Sequence, residues 1–214
     1  MPSIITHAAV PLALWCAADR GRIPPRLLAA GVIASMLPDA DVLAFALHIP
    51  YADAFGHRGA SHSLLFAGVL AMVAALLHSF GRGRPWSAPH SSGSRRPWSA
   101  LSCQPRWAPT TQAATLASTV QAAVFVFICA ASHPLLDALT SGGLGVALAW
   151  PWSDHRFFAP WRPIRVSPFA PQFFSARGIA TLLSELRWVW LPLAGAVVAW
   201  KLIQPAPAAP RDPS

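Results

Sequence analysis

Histidine and aspartate side chains gather at the ends of apolar runs in this chain. They are His7, then Asp39 and Asp41 behind Pro38, then His57 and His62 in His57-Arg58-Gly59-Ala60-Ser61-His62-Ser63, then His133 and Asp137 in His133-Pro134-Leu135-Leu136-Asp137. Only 11% of the residues are charged. An ionisable group beside hydrocarbon is costly unless it has a partner, and a divalent metal ion suits imidazole and carboxylate together. The chemistry this pattern points to is metal binding, with one position left for water if the site is catalytic.

Local spacing says how these groups are presented. His133 and Asp137 stand i,i+4, so on a helix they leave one face and grip one ion, or the carboxylate orients the imidazole. Asp39 and Asp41 are two apart and cannot share a helical face. Pro38 disfavours helix at Leu37 and removes a backbone hydrogen bond, which predicts a break that presents both carboxylates from an irregular turn. Such backbone is tolerated at membrane depth where it lines a polar cavity. His57 and His62 are five apart with Gly59 between them, so His57 is expected on a loop and His62 in the first turn of the following helix. Ser61 or Ser63 is the expected cap of that helix.

Each group also has a plain structural role. His7 beside Thr6 suits a satisfied interfacial residue, Asp39 a cap after Pro38, Asp137 a partner for an arginine, and His133-Pro134 a kink. Taken together these would be several unrelated reasons for polar groups on one side of the chain. His48, His78 and His90 stand apart from the cluster and read as ordinary.

The elements that must position these residues are membrane helices. The chain is 54% hydrophobic with ten tryptophans and a mean hydropathy of +0.44, more apolar surface than one soluble core of this size needs. Five apolar segments follow: 4 to 18, 27 to 49 interrupted at Pro38, 61 to 80, about 113 to 136, and 188 to 203. At a rise of about 1.5 Å per residue the third and fourth cross a ~30 Å hydrocarbon core, whereas the first reaches about 22 Å and is expected to be tilted or partly inserted. The predicted fold is all-α, a polytopic membrane protein of four to five transmembrane or membrane-embedded helices. It forms one domain over residues 1–203, with an interfacial cap at 138–187 and a Pro/Ala tail at 204–214 read as unstructured. Trp150, Trp152, Phe157, Phe158 and Trp161 among arginines suit that cap.

Residues 81–112 are rich in Arg, Ser, Pro and Trp and hold no acidic residue; Arg84-Pro85-Trp86-Ser87-Ala88 recurs as Arg96-Pro97-Trp98-Ser99-Ala100. This reads as a disordered basic linker with no chemistry of its own. The net charge of +8 lies in loops between apolar runs, so anionic lipid headgroups rather than specific nucleic acid are the expected counter-charge. Cys16, Cys103 and Cys129 have no metal-type spacing and imply no disulfide framework.

If the chain alternates sides, ten basic residues share one face (Arg20, Arg22, Arg26, Arg82, Arg84, Arg95, Arg96, Arg106, Lys201, Arg211) against six on the other (Arg58, Arg156, Arg162, Arg165, Arg177, Arg187). The positive-inside rule makes the first face cytoplasmic. Every candidate ligand then falls on the non-cytoplasmic side, and His7 and Asp39 lie at a common depth, about 18 to 20 Å from the first basic loop.

With Thr6-His7, Pro38-Asp39-Ala40-Asp41, the stretch from His57 to Ser63, His133 to Asp137 and Thr140-Ser141-Gly142-Gly143 in that order, residues 1 to 170 resemble the YdjM-like family of membrane-bound predicted metal-dependent hydrolases, LexA-regulated in some bacteria. Pro151-Trp152-Ser153 and Arg156-Phe157 resemble the segment that follows in that family, and the linker has no place in its pattern. The resemblance implies an inner-membrane protein whose His and Asp residues bind one or two divalent ions, zinc foremost, for hydrolysis. A more distant likeness to zinc-dependent phospholipase C and P1 nuclease implies a phosphoester or lipid substrate. His62, His133, Asp137 and Asp39 are the expected ligands, with His7, Asp41 and His57 as further ligands or a base. Arg58 is placed to steady an anionic phosphate or to pair with a site carboxylate. A metal or proton relay, and a metal that only staples the fold, are the alternatives.

Overall fold

The computed structural model describes residues 2–19, 22–82, 111–168 and 173–204. Within them the regular structure is helical, with two isolated β-bridges and no strand. A 3₁₀ turn, Ile4–Ala8, runs into α1 (Ala9–Ala17). Then come α2 (Pro25–Met36), a 3₁₀ turn Leu37–Val42, α3 (Leu43–Ala46), a short 3₁₀ turn Ala60–His62, α4 (Leu64–Arg82) and α5 (Thr111–Ala138). The last helices, α6 (Ala176–Glu185) and α7 (Leu191–Ile203), are joined by one π-helical turn, Leu186–Trp190.

Among the described residues, three stretches are long and apolar enough to cross a membrane: Pro25–Ala46, Thr115–Ala138 and Ala176–Ile203, of 22, 24 and 28 residues. The third apolar segment, expected to cross, forms the 19-residue α4, about 28 Å long, whose apolar part Leu64–Phe80 is one of the shorter apolar helices. One expectation changes here. The last helix begins at Ala176 rather than near 188, so residues 176–187 leave the expected cap. Arg177, Glu185 and Arg187 dilute the apolar signal of those turns, and Glu185 is buried with Ser3 and Thr6 as its hydrogen-bond donors.

Small residues let the helices approach. α5 packs along both α2 and α4, and α1 packs on α7. The core between α2, α4 and α5 is built from Ala34, Ala67, Phe125, Val126, Cys129, Ala130 and Ala131. A side chain at Gly31 would meet the Phe125 ring and Cys129 Sγ. Where lipid is as apolar as leucine, close backbone approach of this kind drives helix association. The outer faces stay apolar, as Met72, Leu76, Leu77 and Phe80 of α4 show by their exposure.

Residues 139–168 form the cap over the end of the bundle. It is stitched by Ser141 N–H to Ile164 O, Ile164 N–H to Leu139 O, Ala159 N–H to Ala138 O, and a reciprocal pair between Val146 and Phe157. Ile164 seats this cap against Ala9 and Val189. Residues 83–110, which include the repeat, His90 and Cys103, and residues 205–214 of the tail lie outside the described residues, as do Arg20 and Met1.

Candidate metal centre

Pro38 has the effect its position predicts. The α-helix stops at Met36 and the chain tightens into the 3₁₀ turn Leu37–Val42. With about three residues per turn, Asp39 and Asp41 leave that turn on different sides. Asp39 faces His7 and His133, while Asp41 faces His57 and His62. Pro134 lies inside α5, where it supplies no N–H to the helix ladder, one residue past His133.

Five side chains converge where the ends of α2 and α5 meet the start of α4. His133 Nε2 lies 2.9 Å from His62 Nε2 and 3.5 Å from Asp39 Oδ1. His62 Nε2 is 3.3 Å from Asp137 Oδ2. His7 Nε2 is 3.7 Å from both Asp39 Oδ2 and Asp137 Oδ1. His7, His62, His133 and Asp137 are fully buried and Asp39 is 4% exposed.

The donor set fits a divalent ion. Both nitrogens of His7 and both carboxylate oxygens of Asp39 and of Asp137 are buried without a hydrogen bond, whereas buried polar atoms are ordinarily satisfied. Four donors at about 2.1 Å from one zinc ion would stand roughly 3.4 Å apart, the spacing found here. Two triads meet the condition, His7, Asp39 and His133 on one side and His62, His133 and Asp137 on the other. They share His133, whose Nε2 has a single lone pair, so the two triads cannot each hold a separate ion in full.

The outer ends of two imidazoles are held. His133 Nδ1 lies 2.7 Å from the Ser35 carbonyl and donates to it, which leaves Nε2 as an acceptor facing the cluster. His62 Nδ1 lies 3.0 Å from Asp41 Oδ2 and 3.0 Å from Ser61 Oγ. Burial pushes the His62 imidazole down, but the carboxylates of Asp137 and Asp41 outweigh it, and the group is pushed up to about 9.

Asp41 gathers the loop before α4. It accepts from His57 Nδ1 at 2.5 Å, from the Arg58 amide at 2.9 Å and from Ser61 Oγ at 2.7 Å. The helix cap therefore falls to Ser63, whose Oγ accepts from Phe66 N–H; Ser61 serves the carboxylate instead. Asp41 and His57 stand one layer outside the five convergent groups.

Arg58 is buried at 1% exposure. Its Nε lies 2.9 Å from Asp137 Oδ2, close but without hydrogen-bond alignment. Its fork donates to Gly142 O at 2.9 Å and Thr140 Oγ1 at 3.1 Å. Of the two roles expected for it, the geometry displays pairing with a carboxylate. The residue sits at φ +62°, an uncommon conformation outside glycine. It is held there by the Asp41 carboxylate on its N–H and by Ala147 N–H on its carbonyl.

Two further groups were not among the expected site residues. Arg156 donates to four backbone carbonyls, those of Tyr51, Asp53, His57 and Arg58, and so clamps this loop to the cap. Glu185 binds the N-terminal turn. His48, exposed, and His78, whose Nε2 lies 3.4 Å from Ser118 Oγ, lie apart from the cluster.

Inner membrane protein YbcI of Escherichia coli (strain K12) is 42% identical over 193 residues, covering 90% of this chain and 92% of that protein. No solved structure gives a significant match. The family model described as YdjM inner membrane protein matches residues 1–208, and the chain, an inner-membrane protein, belongs to that family.

Proposed function

We propose that this protein is a membrane-embedded metal-dependent hydrolase acting on a phosphoester, or another ester, that is carried by lipid or lies at the membrane surface. The observation that carries the reading is the set of buried, unbonded donor atoms on His7, Asp39 and Asp137, turned toward the Nε2 atoms of His62 and His133. In this reading His7, Asp39, His62, His133 and Asp137 hold the ion, and the sharing of His133 favours one ion over two. Zinc suits a set of three imidazoles and two carboxylates. Bound there, it would supply the Lewis acidity that activates water and polarises an ester.

The remaining work falls to the chain's own residues. Asp41 fixes His57 through Nδ1, leaving Nε2 as the end that takes up or delivers a proton. The Asp41 contact to His62 keeps that ring's Nε2 aimed inward. Arg58 balances Asp137, so the charge of the centre stays small inside a low-dielectric bundle. By the distribution of basic loops, the site belongs to the non-cytoplasmic side.

Metal content of detergent-purified protein, measured beside a His62→Ala/Asp137→Ala variant, tests the reading. Zinc in the wild type, its loss in the variant, and turnover of phosphoester or lipid substrates by the wild type alone are expected. Normal turnover by the variant, or a zinc-reconstituted folded wild type that holds no metal, would sink it. One observation favours a second reading, a metal that only staples the bundle: the five donors are closed off from solvent, none more than 4% exposed. In that case chelation lowers thermal stability and no ester is turned over.

A further inference from the structure

Of the three convergent histidines, His7 alone has no hydrogen bond to hold its ring. Its one close ring neighbour is His133, stacked at 3.7 Å and 18°. With no hydrogen bond to fix its rotation, the buried ring takes its place from packing and from the backbone beneath it. That backbone is the 3₁₀ turn Ile4–Ala8.

The turn is tied down from the far end of the sequence. Glu185, 1% exposed, lies within the apolar span Ala176–Ile203. Its Oε1 accepts the Ser3 amide at 2.5 Å, and its Oε2 accepts Ser3 Oγ at 2.5 Å and Thr6 Oγ1 at 2.7 Å. Trp190 Nε1, at the end of the π-helical turn that follows, donates to the same Thr6 hydroxyl at 3.2 Å. An ionisable residue inside a membrane helix is costly and marks a working position. Here three donors, two from Ser3 at the cap of the turn and one from Thr6 within it, meet its two oxygens, and Thr6 is the residue next to His7.

We infer that Glu185 is the positioning residue for His7, doing through the N-terminal turn what Asp41 does for His62 and the Ser35 carbonyl does for His133. The inference rests on the metal-centre reading. It makes the last helix of the chain part of that centre, although no residue of the helix is among the five donors.

The test is a double-mutant cycle on zinc affinity, read by chelator competition in wild type, Glu185→Ala, His7→Ala and the double variant. Loss of an outer-layer partner costs about 10- to 100-fold in metal affinity. Glu185→Ala is expected to cost that much when His7 is present and nothing further when His7 is already alanine. An equal loss in both backgrounds, or no loss in either, overturns the assignment while leaving the metal site intact. Absence of metal from wild type overturns the site and the assignment together. Amide hydrogen exchange gives a readout that needs no metal: in zinc-free Glu185→Ala, residues Ile4–Ala8 are expected to exchange faster while Ala131–Asp137 do not change. Unchanged exchange at Ile4–Ala8 also overturns it. If Glu185→Ala fails to fold, Thr6→Val carries both measurements, because it removes one donor and leaves the Ser3 contacts in place.

Discussion

Asp41 Oδ2 lies 3.0 Å from His62 Nδ1, on the side of the ring opposite the Nε2 that faces Asp137. A carboxylate behind an imidazole fixes the ring's orientation and raises its basicity as a ligand. Asp41→Asn keeps the shape but gives up the charge. We expect zinc affinity to fall about 10- to 100-fold with helical content unchanged, as checked by chelator competition and circular dichroism. Affinity equal to wild type would make Asp41 a brace for the loop and nothing more.

Arg58 and Asp137 form a buried charge pair in which neither partner has solvent as an alternative. Removing one member of such a pair costs about 3–5 kcal/mol because the other is stranded. Arg58→Met is therefore expected to lower the unfolding midpoint of metal-free protein strongly. A bound divalent ion supplies the missing positive charge, so the loss should be smaller in zinc-loaded protein. Thermal unfolding with and without zinc separates the two cases, and an equal loss in both would place the ion elsewhere.

How much of this was legible in the sequence follows from what each signal depends on. The i,i+4 spacing of His133 and Asp137 and the proline before Asp39 are local, and both act in the fold as local rules require. That Asp39 turns inward while Asp41 turns toward His57 depends on the 3₁₀ path of Leu37–Val42, which spacing alone leaves open. The last helix was under-read because Arg177, Glu185 and Arg187 break the apolar run. Their cost is met by tertiary partners, above all Ser3 and Thr6, nearly the whole chain away. The four carbonyls that receive Arg156 are likewise invisible to any pattern, since backbone acceptors carry no residue identity.

Gly143 shows the same limit at a finer scale. Its φ is +93°, and a Cβ built there would meet Arg58 Nη1 and the Tyr51 hydroxyl. Gly143→Ala combines a strained backbone with displacement of the Arg58 fork. A loss of about 1 kcal/mol or more is expected, measured as a lowered midpoint in chemical unfolding. Gly68, with open space around its Cβ position, is the control in the same assay: Gly68→Ala, in the helical interior of α4, should be neutral or slightly stabilising.

The His62 imidazole, pushed up from 6.5 to about 9, gives metal-free and metal-bound protein opposite responses to pH. Without metal, the folded state holds a proton that the unfolded chain gives up near pH 6.5. Its stabilising contribution is complete below that value and is lost as pH rises through about 9. A divalent ion must displace the same proton to reach Nε2, so its apparent affinity should climb by up to about tenfold per pH unit between 6.5 and 9, then level off. Unfolding midpoints recorded across this window, with zinc and with chelator, should therefore diverge as pH rises. Parallel curves would mean that His62 gives up no proton on metal binding and is not a ligand; where the curves diverge, His62→Gln, which removes the titrating group, should abolish the divergence.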